Sequence, residues 1–181
     1  SGIIREALLK MMDFSGDELE NAVSVFNACI KNIAFLPIFG GKTLKDARPG
    51  DMASETEFLL KIPCDAVKGR LSAMMAEKYG TDPLPNDGFP RGFMSGFIDL
   101  VVKIDGKYYL VDWKSNSLGL SFEDYSDENI AKNMKKHNYY LQYMIYLAAF
   151  DRYLSAADPD YSYAENFGGI RYVFLRGIKE G

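Results

Sequence analysis

Asp105-Gly106 stands between two β-rich runs, 93–104 and 107–114, and no other signal in the chain constrains its fold as strongly. A two-residue Asp-Gly loop selects a tight turn whose twist matches that of its flanking strands. Such a turn fixes the register. Ile104 pairs with Lys107, and counting outward sets Asp99 opposite Asp112. Opposed residues hold their Cβ atoms roughly 4.5–5.5 Å apart. Lys114 lies two residues past Asp112 and therefore on the same face. That face reads Phe97, Asp99, Val101 and Lys103 beside Tyr108, Leu110, Asp112 and Lys114. The other reads Ile98, Leu100, Val102 and Ile104 beside Tyr109, Val111 and Trp113, and is core.

Two facing carboxylates repel unless they share a proton or a cation. A hard divalent ion such as Mg²⁺ takes oxygen ligands, usually a few carboxylates with water. Asp99 and Asp112 supply two, and the backbone carbonyl of Trp113 can supply a third. Lys114 then sits within reach of a scissile phosphate or of the water that attacks it. The bland alternative is a set of exposed hairpin charges in which Lys114 neutralises Asp112. The apolar residues around the charges argue that this face is covered.

The remaining elements read as follows. Residues 3–12 form a short helix, and Ser15 with Glu18 offers a capping box for a second helix reaching about Phe35. Its apolar spacing is Leu19, Val23, Phe26, Ile30, Ile33. Residues 36–53 are loop, 55–62 a strand and 65–78 a helix stopped by Gly80. A polar loop with Pro83, Pro85, Gly88 and Pro90 leads into the hairpin. After a loop over 115–126, a long helix spans about 127–156 with a break near His137-Asn138. A last strand covers 169–175. The expected fold is α/β, a central mixed sheet flanked by helices. Residues 1–54 read as a helical lead-in and 55–181 as the core of one compact domain.

Composition excludes more than it identifies. With 181 residues the chain suits one domain able to bury a core. No apolar run approaches the roughly 20 residues of a membrane span. The chain opens on Ser1-Gly2 without an initiator Met or a basic leader, and reads as a piece of something larger. Cys29 and Cys64 sit in apolar segments, outside any paired-cysteine motif, and read as buried free thiols in a reducing cytoplasm. There is no phosphate-cradling Walker loop. Net charge is −4, the wrong sign for gripping DNA by bulk electrostatics, so a DNA enzyme of this composition needs local positive charge or a partner that delivers the strand.

The segment GFIDLVVKIDGKYYLVDWKSNSLG (96–119) resembles the core motif of the PD-(D/E)XK nucleases, and within them the C-terminal nuclease domains of RecB-type proteins, the beta subunits of exodeoxyribonuclease V. HNYYLQYMIYLAAFDRYL (137–154) is similar to that family's final helix, with its Q-x-x-x-Y pair at Gln142 and Tyr146, and GGIRYVFLRGI (168–178) resembles its closing strand. The resemblance implies a restriction-endonuclease-like fold and hydrolysis of DNA with Mg²⁺, with Mn²⁺ or Ca²⁺ able to occupy the site. It implies that Asp99 and Asp112 bind metal, that the Trp113 carbonyl completes the shell, that Lys114 is the catalytic lysine, and that Gln142 and Tyr146 line the site. It also implies work inside a RecB-type helicase–nuclease beside a RecC-type subunit, on single strands fed by the motor, with RecA loading as a further role.

The likeness is poor over the first 50 residues. Where the family's opening helix carries a metal-binding His and a Glu, alignment sets Glu6 and Lys10. Glu6 is then either a third side-chain ligand to the metal or a solvated helix residue. His137, with Lys132, Lys135 and Lys136, is either a phosphate contact or part of a solvated helix face. Tyr139, Tyr140, Tyr143 and Tyr146 can stack on bases, though their helical spacing favours packing. Arg171 and Arg176 are possible phosphate contacts, and Glu57 reads as structural.

Overall fold

The computed structural model describes residues 2–62, 65–82 and 92–179, with side chains over 2–61, 69–82 and 92–179. The expected polar loop at 83–90 and Cys64 lie outside these residues. Helices α1 (Gly2–Met11) and α2 (Gly16–Ala34) lead in. They are followed by β1 (Met52–Ile62), α3 (Asp65–Tyr79), β2 (Gly92–Ile104), β3 (Lys107–Lys114), α4 (Asp127–Lys136), α5 (Tyr139–Ala157), the single turn α6 (Tyr163–Asn166) and β4 (Phe167–Phe174).

The four strands form one sheet in the order β1-β2-β3-β4. β2 runs antiparallel to both β1 and β3, and β4 runs parallel to β3. This is the mixed α/β sheet flanked by helices, compatible with a restriction-endonuclease-like architecture. The turn behaves as its sequence demands: Asp105 and Gly106 have φ of 49° and 79°, and Ile104 pairs with Lys107. At the start of β4, the backbone of Gly168 runs so close to the Tyr109 ring that a Cβ there would meet ring carbons at 2.4 Å.

Each face of the sheet has its own core. On one, Tyr146, Phe150 and Leu154 of α5 pack on Ile98, Val101 and Leu110. These three helix residues are four apart, so one stripe of α5 does the covering. On the other, Val102, Ile104, Tyr109, Val111 and Val173 pack beneath Phe39 from the loop after α2. Arg171 bolts that loop down, its guanidinium donating to the carbonyls of Ile38, Ile170 and Gly168 and facing the Tyr109 ring. That is a structural task, and the expected phosphate contact at Arg171 is not what its neighbours suggest.

Helices α1 and α2 form a satellite unit around Leu8, Leu19 and Val23. The capping box is present, with both Ser15 Oγ and the Ser15 backbone N–H donating to Glu18. The apolar stripe of α2 is longer than the surface that covers it: Phe26 and Ile30 are exposed, and so is Cys29, which corrects the expectation of a buried thiol. The long helix breaks where expected, with Asn138 in the left-handed region between α4 and α5.

Period-two alternation fails in one place. Ile98 shares the α5 core with Val101, and Phe97 is 53% exposed, whereas strict alternation puts Ile98 with Val102 and Phe97 with Val101. The ladders break at the residue between. Pairing of β1 with β2 omits Glu55 and Asp99, with Glu55 at φ 50°, and pairing of β2 with β3 stops at Leu100–Val111. β2 therefore changes the side it presents to α5 at Asp99. Truncating the central residue of the covering stripe, Phe150→Ala, should cost about 3–5 kcal/mol; urea unfolding followed by Trp113 fluorescence measures it.

Candidate active site

Two stripes that are apolar in the core turn polar at the same end. Along β3 the α5-facing residues run Tyr108, Leu110, Asp112, Lys114. Along α5 the stripe runs back from Leu154 through Phe150 and Tyr146 to Gln142. Strand and helix thus deliver Asp112, Lys114, Gln142 and Tyr146 to one place; the spacing put each pair on one face of its own element, and only the resemblance brought the two pairs together.

Asp112 and Lys114 are 2% and 8% exposed, and the Lys114 ammonium is ion-paired to Asp112 Oδ1. Burial pushes the Asp112 carboxyl above its usual range, and the charge of Asp99 adds to the rise. Lys114 pulls it back.

Their geometry differs from simple opposition. No ladder pair joins Asp99 to Asp112. The Trp113 backbone N–H instead donates to Asp99 Oδ2 at 2.7 Å, so this carboxylate fills the gap left where β2 and β3 part. Asp99 has both a structural bond and a half-buried position beside the site. The Trp113 ring packs against the opposite core, leaving its main chain between Asp112 and Lys114.

A one-way hydrogen-bond chain orients the lysine. A lysine can only donate, so the Gln142 oxygen must face it, at 2.9 Å. The Gln142 nitrogen then donates to the Tyr146 oxygen at 2.8 Å, and the Tyr146 hydroxyl donates to the Phe97 carbonyl at 2.9 Å. Burial and the neighbouring Asp112 charge push the Tyr146 phenol well above its ordinary value, so it keeps its proton.

Glu6 is not brought here. It lies exposed on α1, ion-paired to Lys10 at 3.0 Å, because α1 packs only its Leu8 side against α2. Among the described residues no group of three His, Cys, Asp or Glu side chains is close enough to hold a metal ion. His137 caps α4 with its ring stacked on Tyr139, at a centroid distance of 5.4 Å. Lys132 pairs with Glu128 one turn back. Tyr140 stacks on Tyr79, and Tyr146 is core, so packing claims both. Arg176 donates to the Ser115 carbonyl, and Glu57 is exposed on β1.

The sequence did not point to Tyr172 or Asn116, and it offered Tyr139 as a base-stacking or helix-packing residue rather than a partner of Lys114. Tyr139 and Tyr172 lie with ring centroids 3.8 and 5.2 Å from the Lys114 ammonium. The available signal was the parallel strand itself, whose Tyr172 is paired with Asp112.

The fold and this arrangement define an α/β protein with a buried Asp–Lys pair and a second aspartate at the open end of a hairpin. No family profile matches the chain. It is 38% identical over 145 residues to the RecBCD enzyme subunit RecB of Escherichia coli K12, a match covering 76% of this chain and 12% of that protein. The corresponding subunit of Haemophilus influenzae is 50% identical over 88 residues, covering 49% of this chain and 7% of that protein. That of Borreliella burgdorferi is 33% identical over 133 residues, covering 72% and 10%. Over the matched residues the chain is similar to RecB, as a RecB-type fragment would be, and it spans about an eighth of the length of the E. coli relative. Among the described residues no helix is long and apolar enough to cross a membrane.

The buried pair should respond asymmetrically to substitution. Asp112→Ala strands a buried ammonium and should cost about 3–5 kcal/mol. Lys114→Met should cost less, because Asp112, already pushed upward, can take a proton. The double variant should fall well short of the sum, and chemical denaturation of the four proteins tests this. At Asp99, Asn keeps an acceptor for the Trp113 N–H while relieving the repulsion from Asp112. Asp99→Ala should therefore be about 1–3 kcal/mol less stable than Asp99→Asn; equal stabilities would show that the Trp113 bond contributes nothing.

Proposed function

We propose that this chain hydrolyses DNA phosphodiester bonds with Mg²⁺, as the nuclease part of a RecB-type helicase–nuclease acting in double-strand-break processing and recombination. The observation that carries the reading is the buried Asp112–Lys114 pair with the Asp99 carboxylate held on the Trp113 backbone between them. The relatives' name, RecBCD enzyme subunit RecB, agrees with it.

The donor set fits a magnesium ion. Mg²⁺ is commonly held by one or two carboxylates, its remaining positions going to waters and substrate phosphate. Asp112 is buried and costly to ionise, and a cation beside it offsets that cost. Asp99 is the second carboxylate and the Trp113 carbonyl the candidate third oxygen. Bound there, the ion supplies a water of lowered pKa and offsets negative charge on the phosphate.

The chain's own residues do the rest. Asp99 and Asp112 would hold the ion, and the Trp113 N–H fixes the Asp99 carboxylate. Lys114 presents a fixed positive charge to the phosphate oxygens as water adds in line. Gln142 holds the ammonium, and Tyr146 holds Gln142. The surrounding core keeps the effective dielectric low, which strengthens each of these interactions.

An acidic chain without strong bulk attraction for DNA suits delivery by a larger assembly. We propose as partners the RecB motor region and a RecC-type subunit, single strands as the immediate substrate, RecA as a further contact and the cytoplasm as the setting.

A second reading keeps the fold as a non-catalytic module that guides DNA or docks a subunit. The surface position of Glu6 favours it, since a third carboxylate ligand is then missing. Calorimetric titration with Mn²⁺ and Mg²⁺ separates the two. The nuclease reading expects binding that disappears in Asp112→Asn. It also expects Mg²⁺-dependent degradation of a labelled single strand, blocked by chelator and reduced by roughly a hundredfold or more in Lys114→Met. No ion binding at millimolar concentration, with no cleavage, would leave the module reading standing.

A further inference from the structure

An ammonium group carries three N–H donors and no acceptor. For Lys114 two partners are the Asp112 carboxylate and the Gln142 oxygen. The third direction meets a ring, since the ammonium nitrogen lies 3.8 Å from the centroid of Tyr139. We propose that Tyr139 is a positioning residue for the hydrolytic reaction, its π face being the third partner that seats Lys114. This rests on the nuclease reading above.

Tyr139 is fixed from both ends. Its hydroxyl donates to Asn116 Oδ1 at 3.0 Å, and its carbonyl accepts from the Tyr172 hydroxyl at 3.1 Å. The Tyr172 ring lies nearly parallel to it, at 5.9 Å and 18°. Asn116 is two residues beyond Lys114, so strand, loop, tyrosine and ammonium close into a small circuit. Asn138, left-handed just before α5, makes the turn that starts the helix at Tyr139.

The chemistry of the seat suits its task. A second carboxylate there would add another ion pair to the one with Asp112 and trap the ammonium, and open water would let the chain swing. An aromatic face attracts the cation through its quadrupole without offering a charge. The ammonium stays in place yet can turn one donor toward a phosphate oxygen when substrate arrives. Tyr172, whose phenol is pushed far above its ordinary value chiefly by burial, remains protonated and keeps holding the Tyr139 carbonyl.

The test uses the 181-residue chain and two substitutions. Tyr139→Phe keeps the ring and loses the Asn116 bond; Tyr139→Leu loses the ring. On a labelled single-stranded oligonucleotide with Mg²⁺, Tyr139→Phe should retain kcat within about twofold, and Tyr139→Leu should lose roughly thirtyfold in kcat with KM little changed. Proton NMR of the metal-free protein reads the seat without activity. The Lys114 ε-methylene resonance, assigned by its loss in Lys114→Arg, should show an upfield ring-current shift that survives in Tyr139→Phe and falls in Tyr139→Leu to the smaller part owed to the more distant Tyr172 ring. Tyr139→Met replaces the leucine variant if that one does not fold. An unshifted resonance in the parent protein, or a leucine variant with full kcat, overturns the proposal. If the parent shows the shift but does not cleave, the nuclease reading falls and the seat stands.

Discussion

The buried Lys114–Asp112 pair is the interaction on which the rest of this site depends. Neither group can be enclosed without compensation, because removing a charge from water costs far more than the fold has to spare. The surrounding elements meet that requirement one group at a time. Asp112 neutralises the lysine, Gln142 accepts from it, Tyr139 faces it, and Asp99 sits near enough to disturb Asp112. The four come from three elements: Asp112 from β3, Tyr139 and Gln142 from the start of α5, and Asp99 from the irregular centre of β2.

What holds these elements in place is the apolar part of the same stripes. Phe150 and Leu154 dock α5 on Val101 and Leu110, and the helix then carries Gln142 two turns further to the polar end. Hydrophobic burial is non-directional, so it sets the approach of helix to sheet. The hydrogen-bond chain from Lys114 through Gln142 and Tyr146 to the Phe97 carbonyl then sets the rotation, since only one orientation of the amide satisfies both neighbours. Packing and polar geometry are coupled at Tyr146, whose ring belongs to the core and whose hydroxyl belongs to the site.

The break in β2 at Asp99 shows how a functional position departs from local rules. A regular ladder would spend this stretch of backbone on pairing with both neighbours. Releasing Asp99 and Glu55 from the ladder frees a carboxylate to cap the Trp113 N–H and to approach Asp112. The same break lets Ile98 turn into the α5 core. The irregularity thus serves the packing and the site together. By contrast the α1–α2 unit, with its own small cluster and its exposed Phe26 and Ile30, contributes nothing that reaches the aspartates.

Much of this was legible in the residues themselves, because the signals were local. Asp105-Gly106 dictates its turn through φ, the turn dictates register, and register brings Asp112 and Lys114 to one face with Asp99 nearby. The four-residue spacing of Gln142, Tyr146, Phe150 and Leu154 marks a single helix face, and Ser15 with Glu18 marks a helix start. The remainder required the tertiary structure. Alternation counted along β2 could not reveal that the strand changes sides at Asp99, because the cause is unpaired backbone in two neighbouring strands. The exposure of Glu6 and Cys29 followed from how little of α1 and α2 is covered, which no periodicity reports. The seat of Lys114 joins Tyr139, Tyr172 and Asn116 from a helix, a parallel strand and a loop. Residues so far apart in sequence meet only when the crossover from β3 to β4 has been folded, and their contact energy belongs to that arrangement alone.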